Sequence, residues 1–332
     1  MSIFPNRRSS ILKGSLFIFV LILGNLTLIA QDIISNYKVH FAVGNFKNKT
    51  ILVIRQFERA EKTFYVGVDP VKIETQIIPS DQISTETISW SQILIKYNNT
   101  AYVRAIQKAK NQSYTLQNSG IVHGFPKEMG ITLTIDLCPS SKPLDRIIFT
   151  KLISEFQKIE KPVPLALSIT GKFILSHTED INWLKDLIAS GEISVTWINH
   201  TYNHYYNPQL PLNKNFLLEP GTNLNFEILE TEIALIQHGF LSSVFFRFPG
   251  LVSDHNVMNQ VIEYGLIPIG SDAWLAKGQQ IHAGSIVLIH GNGNEPLGVQ
   301  EFIRLLKTEK SSIVKKKWLL YDLRESVENE FQ

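Results

Sequence analysis

From residue 121 onward, short apolar runs alternate with longer segments whose apolar residues recur at helical spacing. The pattern predicts strands at 131–136, 163–170, 192–198, 243–247, 266–271, 285–290 and 318–323. Between them it predicts helices at 144–158 and 179–189, and near 226–237, 256–264 and 297–306. Alternation of strands and helices on this scale is typical of a parallel sheet, either open or closed into a barrel. The predicted fold class of this part of the chain is therefore α/β.

The preceding part, residues 32–118, has a different pattern. It is rich in β-branched and aromatic residues, and we predict strands at 38–43, 50–55, 63–68, 72–78 and 92–97. No residues here have the spacing of metal ligands or of a nucleophile with its base. We interpret residues 32–118 as a small β-rich accessory domain, either purely structural or in contact with a polymer. A polar linker at 117–120 leads into a second domain, residues 119–332.

Residues 1–31 have the pattern of a targeting segment. Arg7, Arg8 and Lys13 precede an apolar stretch at 15–30, and the bond after Ala30 is a plausible cleavage point. The stretch is shorter than the about 20 residues that a membrane-spanning helix needs. We favour a cleaved signal peptide over an uncleaved anchor, so the protein is expected to be periplasmic, cell-surface or secreted. A membrane is an expected partner only if the segment stays uncleaved.

Composition excludes some classes of function. The chain is 44% hydrophobic and 19% charged, with a formal net charge of +2. This charge is too small to indicate a nucleic-acid partner, and basic residues do not cluster with aromatic ones. The single cysteine, Cys138, excludes an intrachain disulfide.

Polar residues gather where the predicted strands of the second domain end. They are Asp136, His200, Arg247, Asp272 and His290. His204 lies four residues after His200, a spacing at which both imidazoles can reach one ion. Singly, each residue also has a structural interpretation as a cap, an ion pair or a core histidine. Because chemistry in parallel α/β folds sits at the carboxyl ends of the strands, the gathering indicates a hydrolytic site.

The same segments resemble motifs of the polysaccharide deacetylase family, the NodB-homology domain of family 4 carbohydrate esterases. In chain order, the similar segments are Thr134-Ile135-Asp136-Leu137-Cys138-Pro139 (family T-F-D-D-G-P), 164–172, Asn199-His200-Thr201-Tyr202-Asn203-His204 (N-H-T-Y-S-H), 246–250 (R-P-P-x-G), 271–274 and 284–290 (G-S-I-x-L-x-H). The resemblance covers residues 121 to about 310. It implies a distorted parallel (β/α) barrel of the NodB-homology type, preceded here by the β-rich domain.

The resemblance also implies a function: an exported, metal-dependent hydrolase that removes N-acetyl groups from a cell-wall or surface polysaccharide. His200 and His204 would hold a divalent metal, expected to be zinc, with Asp136 as the third candidate ligand. Asp136 would also be the general base, oriented by Arg247. An N-acetylated polysaccharide or oligosaccharide is the expected partner.

The remaining roles that the resemblance implies concern the leaving group and the substrate. His290 would be the general acid, and Asp272 would keep its imidazole charged. Trp274, Leu288 and Pro249 would contact the substrate, with the first two lining a pocket for the acetyl methyl group.

Leu137 and Cys138 depart from the family pattern, since Leu137 occupies the position of the third protein ligand. Asp136 could turn onto the metal, or the Cys138 thiolate could serve as a ligand from the same side of the strand as Asp136. Alternatively, the site holds metal weakly and the protein is a non-catalytic glycan-binding member of the fold. A hydrolase of small acylated metabolites is a more distant alternative. We favour catalysis, because the other motif residues are intact.

Overall fold

The computed structural model describes residues 33–112 and 114–331. The segment predicted as a signal peptide, 1–31, lies outside these residues. Asp32–Gln332 form one compact unit. Within the described ranges, no helix has both the length and the apolar character needed to cross a membrane.

An antiparallel sheet opens this unit. Its strands are β1 (Ile34–Phe46), β2 (Lys49–Arg59), β3 (Lys62–Asp69), β4 (Glu74–Pro79) and β5 (Thr85–Thr87), in the order β4-β3-β2-β1-β5. Strands β1 and β2 are joined by Lys47 and Asn48, which both have positive φ, as a two-residue hairpin turn requires. The predicted β-rich character of this part of the chain is confirmed.

Two helices follow this sheet, and the strand predicted at 92–97 is wrong. That segment lies in helix α1 (Trp90–Lys96), which is followed by α2 (Ala101–Asn111). Ser89 and Gln92 form a reciprocal capping box at the start of α1, and this local signal for a helix outweighs the strand propensity of the isoleucines.

The predicted parallel sheet is confirmed. Its strands are β6 (Gly130–Leu137), β7 (Val163–Ile169), β8 (Ile193–Asn199), β9 (Ser242–Phe246), β10 (Ile267–Pro268), β11 (Ala273–Trp274), β12 (Ile286–His290) and β13 (Leu319–Leu320). The order is β10-β9-β8-β7-β6-β12-β11, with β13 paired to the start of β6. Within the described residues, the end strands β10 and β11 do not pair with each other, so the barrel is distorted and open. All eight residues of β6 are buried, because both faces of a parallel sheet are covered.

Helices cover the parallel sheet. They are α3 (Arg146–Phe156), α4 (Gly171–Ser176), α5 (Thr178–Ala189), α6 (Leu224–Gln237), α7 (His255–Glu263), α8 (Pro296–Val314) and α9 (Leu323–Glu328). One hydrophobic cluster joins the odd-numbered residues of β6 to α3, α5 and α8. Because strand side chains alternate, the even-numbered residues of β6 face the opposite side, where the candidate site lies.

A second hydrophobic cluster joins the two sheets. It contains Phe57 of β2 and Tyr102 of α2 together with Phe245 of β9 and Ile267 of β10. The division of the chain near residue 118 stays a prediction about domain organisation. In the folded chain, the residues on either side of it share this core.

Candidate active site

The carboxyl ends of four parallel strands bring the predicted polar residues together. Asp136 and His290 are paired residues on the adjacent strands β6 and β12. His200 directly follows β8 and Arg247 directly follows β9, and the Arg247 amide donates to the Asn199 carbonyl at 2.9 Å. This rim is the meeting point expected from the order of parallel strands.

Asp136 and Arg247 form a buried ion pair at the centre of the rim. Arg247 Nη1 lies 3.3 Å from Asp136 Oδ1, and Arg247 Nη2 donates to the Gly270 carbonyl at 2.9 Å. Burial by itself would raise the pKa of Asp136, but Arg247 and then His200 and His290 outweigh it and lower that pKa. Asp136 is therefore a carboxylate, able to accept a proton.

His200 presents one defined nitrogen to the site. Its Nδ1 lies 2.9 Å from the Arg247 carbonyl oxygen, which can only accept, so Nδ1 carries the proton and Nε2 is left free. Burial lowers the pKa of His200, so the ring is a neutral imidazole. A neutral imidazole held by its other nitrogen to a backbone carbonyl is the usual form of a metal-binding histidine.

Cys138, and not Asp136, completes a three-residue set of possible metal ligands. Its sulfur lies 3.7 Å from His200 Nε2 and 3.4 Å from His204 Nε2, and all three donor atoms lie within 4.8 Å of one another. Asp136 is not in this set; its Oδ2 lies 3.7 Å from His200 Nε2 and its Oδ1 faces Arg247. Of the two routes to a third ligand left open by the sequence, the geometry favours the thiolate.

The two sulfur–nitrogen separations match those expected around a tetrahedral metal ion. Zinc–sulfur and zinc–nitrogen bonds of about 2.3 and 2.0–2.1 Å at a tetrahedral angle place sulfur and nitrogen about 3.6 Å apart. The observed separations of 3.4 and 3.7 Å bracket this value. Burial by itself would raise the pKa of the Cys138 thiol, but His204 and His290 outweigh it and lower the pKa to about 7. The sulfur is thus readily available as a thiolate, the form that binds metal.

Glu295, and not Asp272, orients His290. His290 Nδ1 lies 2.8 Å from Glu295 Oε2, the oxygen that also accepts from Trp274 Nε1 at 2.6 Å. Burial by itself would lower the pKa of His290, but Cys138 and Glu295 outweigh it and raise that pKa well above its ordinary value. His290 is therefore protonated and able to donate.

Asp272 lies in the same region but makes other contacts. Its Oδ2 lies 2.6 Å from Nδ1 of His123, and its Oδ1 accepts from the Ile286 amide at 3.0 Å. The role expected for Asp272 is thus corrected, because its carboxylate is directed to the partly exposed His123 at the edge of the sheet.

An apolar cluster borders His290. Leu251, Trp274 and Leu288 pack together, and the Trp274 ring lies 5.9 Å from the His290 ring. Pro249 and His204 lie beside a cavity of about 350 Å3. Leu137 is fully buried among core residues on the other face of β6. Its side chain therefore takes no part in the site.

Two residues that contribute to the candidate site, Glu295 and Glu227, were not found from the sequence. Glu295 lies five residues after His290, in an irregular segment. Because such a segment has no periodicity, the sequence does not indicate which of its side chains contacts His290. Glu227 of α6 bonds the segment between the two histidines, although it belongs to no quoted motif. For Cys138, the spacing of two from Asp136 along a strand was the available signal.

No protein-family profile matches the chain. Similar solved structures include the Bc1960 peptidoglycan N-acetylglucosamine deacetylase, at 16% identity and a TM-score of 0.45, over 62% of this chain and 91% of that one. A family 4 carbohydrate esterase from Bacillus anthracis is similar at 18% identity and a TM-score of 0.46, over 70% and 92%. A CE4 family pseudoenzyme from Bacillus anthracis is similar at 15% and 0.42, over 68% and 80%.

Proposed function

We propose that this protein is an exported, metal-dependent polysaccharide deacetylase, which hydrolyses the N-acetyl amide of a cell-wall or surface polysaccharide to a free amine and acetate. The observation that carries the proposal is a single arrangement. The Asp136 carboxyl group and the His290 imidazole lie on paired strands beside the three donors Cys138, His200 and His204. A base, an acid and a metal-ligand set at one rim are the groups that amide hydrolysis requires.

Cys138, His200 and His204 would hold the metal in this proposal. Zinc is the proposed ion, because one thiolate and two imidazoles form a borderline-soft donor set and three protein ligands leave a fourth position open. A bound zinc ion would supply polarisation of the acetamide carbonyl and acidification of a water molecule.

Asp136 acts as the general base. Its carboxylate takes a proton from the attacking water, and the hydroxide forms a bond to the carbonyl carbon. The buried Arg247 keeps the carboxylate ionised and fixes Oδ1. Oδ2 faces His200 and therefore the donor set.

His290 acts as the general acid. When the carbon–nitrogen bond breaks, its proton passes to the departing nitrogen, so the amine leaves neutral instead of as an anion. Glu295 Oε2 holds Nδ1, which leaves Nε2 as the nitrogen that donates. The buried side chains of Leu251, Trp274 and Leu288 pack together beside it, and this apolar cluster is the proposed neighbour of the acetyl methyl group.

The pattern of residues 1–31 supports export, and a polysaccharide outside the cytoplasm is the matching substrate. Export is tested separately, by locating the full-length chain in fractionated cells and sequencing the N-terminus of the exported form. A new N-terminus near residue 31 is expected. Retention of the whole chain in the cytoplasm would contradict the export part of the proposal.

The activity is tested by measuring zinc content after purification together with acetate release from chitooligosaccharides and peptidoglycan fragments. We expect about one zinc per chain and release of acetate that stops on chelation and returns with zinc. The proposed enzymatic activity would be overturned if the purified protein contained no metal and left both substrates intact after addition of zinc or cobalt. If that protein still bound the oligosaccharides, the glycan-binding alternative would replace it.

A further inference from the structure

We propose that Glu227 is a positioning residue for the proposed metal site: it holds the segment between His200 and His204 in the shape that turns both imidazoles toward Cys138. The inference rests on the proposed function, because it concerns how that site is assembled. Glu227 itself would not touch metal or substrate.

The segment that joins the two histidines is strained. Thr201 and His204 have φ values of 69° and 48°. Residues other than glycine rarely occupy this left-handed region, so such a conformation persists only when the surrounding structure holds it. The turn is nonetheless needed, because it brings the two Nε2 atoms into one donor set with the sulfur.

The Glu227 carboxylate supplies that hold. Oε2 accepts from the Tyr202 amide at 3.0 Å and from the Asn203 amide at 2.8 Å, and Oε1 accepts from Asn203 Nδ2 at 2.6 Å. The residue is only 7% exposed. Hydrogen bonds from backbone amides to a buried carboxylate are stronger than those between neutral groups.

Other contacts hold the segment less completely. Asn199 Oδ1 accepts from the Thr201 amide at 3.0 Å. The amides of Gly171 and Lys172 donate to the carbonyls of Thr201 and Tyr202. Without the Glu227 carboxylate, the Tyr202 and Asn203 amides would lose their acceptor, and the segment would be free to relax from its strained conformation.

A second glutamate on the same helix provides a matched control. Glu232 is also buried, at 3% exposed, but it faces the antiparallel sheet. Its carboxylate accepts from Arg55 Nε at 2.7 Å and from Arg55 Nη2 at 3.0 Å. Glu232→Gln therefore weakens the fold through α6 without removing a contact of the histidine segment.

The test compares zinc affinity, measured by competition with a chromophoric chelator, in the full-length wild type, Glu227→Gln and Glu232→Gln. Glu227→Gln keeps the size of the side chain but removes its negative charge and replaces one of its two acceptor oxygens by an N–H2 donor. We expect Glu227→Gln to lower zinc affinity by about 10–100-fold, as for other residues that orient ligands. Glu232→Gln should lower the melting temperature of the metal-free protein and leave the affinity unchanged. Glu227→Asp, which keeps the charge, should restore part of the affinity.

Each result decides a different point. Equal affinity in Glu227→Gln and wild type, or equal losses in both glutamine variants, would overturn the positioning role while leaving the metal site intact. A wild type that binds no zinc would overturn the proposed function as well. If Glu227→Gln does not fold, Asn203→Ala removes one of the three hydrogen bonds from the other side. A smaller loss of affinity is then expected, and no loss would overturn the role.

Discussion

Cys138 Sγ lies 3.4 Å from His204 Nε2, which places the only sulfhydryl group of the chain beside the imidazoles of the proposed metal site. The neighbouring Leu137 points into the core on the other face of β6. Because successive strand residues face opposite sides, position 138 returns to the face of Asp136. In the proposed metal site, Cys138 therefore supplies the third donor that Leu137 cannot supply.

Replacement of this sulfur tests the ligand set. Cys138→Ala leaves two protein ligands, and we expect zinc to be lost during dialysis that the wild type survives, because catalytic zinc is normally held by three. The cobalt-substituted wild type should show sulfur-to-cobalt charge-transfer absorption that Cys138→Ala lacks. Asp136→Asn should keep zinc and the absorption band while losing acetate release. Loss of metal in Asp136→Asn with retention in Cys138→Ala would restore Asp136 as the ligand.

The variant Leu137→Asp tests whether the side chain at position 137 points into the core and not into the site. We expect this change to lower the free energy of unfolding by at least about 2 kcal/mol, since it removes buried apolar atoms and places an unpaired carboxyl among them. The volume-conserving Leu137→Met should cost less than about 1.5 kcal/mol. Urea unfolding of both variants measures the difference. A stable Leu137→Asp protein with raised zinc affinity would show that residue 137 reaches the site.

Removal of the general acid tests the chemistry. His290→Ala should reduce the rate of acetate release about 100-fold or more. Its zinc content should stay unchanged, since His290 is not in the donor set. The ratio of the rates for wild type and variant, at matched zinc content, is the measurement. An unaltered rate would remove His290 from the mechanism.

The pH profile separates the two acidic residues considered as partners of His290. Glu295 helps to raise the pKa of His290, so Glu295→Gln should lower that pKa. His290 then loses its proton at a lower pH, so the alkaline limb of the kcat/KM profile should move to lower pH. Asp272→Asn should leave this limb in place, because Asp272 bonds His123. If the alkaline limb instead moved in Asp272→Asn and stayed in place in Glu295→Gln, Asp272 would be the partner of His290.

Stability should depend on pH through Glu160, outside the site. Burial, followed by repulsion from Glu325, raises the pKa of Glu160 to about 7, against about 4.3 in an unfolded chain. Between these values the folded state binds more protons, so this residue lowers stability as pH rises from about 4.3 to about 7. Glu160→Gln should therefore melt higher than wild type at pH 8, with a smaller gain at pH 5.

An exposed strand residue gives the control for this experiment. Glu86→Gln changes the charge on an exposed part of β5 and should show no such change with pH. A gain for Glu160→Gln that is the same at pH 5 and pH 8 would contradict the assigned cause.

Hydrophobic periodicity and strand-end positions are local properties of the chain, so the α/β class, the parallel sheet and the residues at its rim could be predicted from the residues alone. The sequence did not indicate which side chains meet. Strand alternation left both Asp136 and Cys138 as candidates beside the two histidines, and their distances in the fold favour Cys138. The exchange of Asp272 for Glu295 beside His290 depends on how the irregular segment after β12 turns back over the rim. Such turns are set by packing between segments far apart in the chain, which no local pattern of residues encodes.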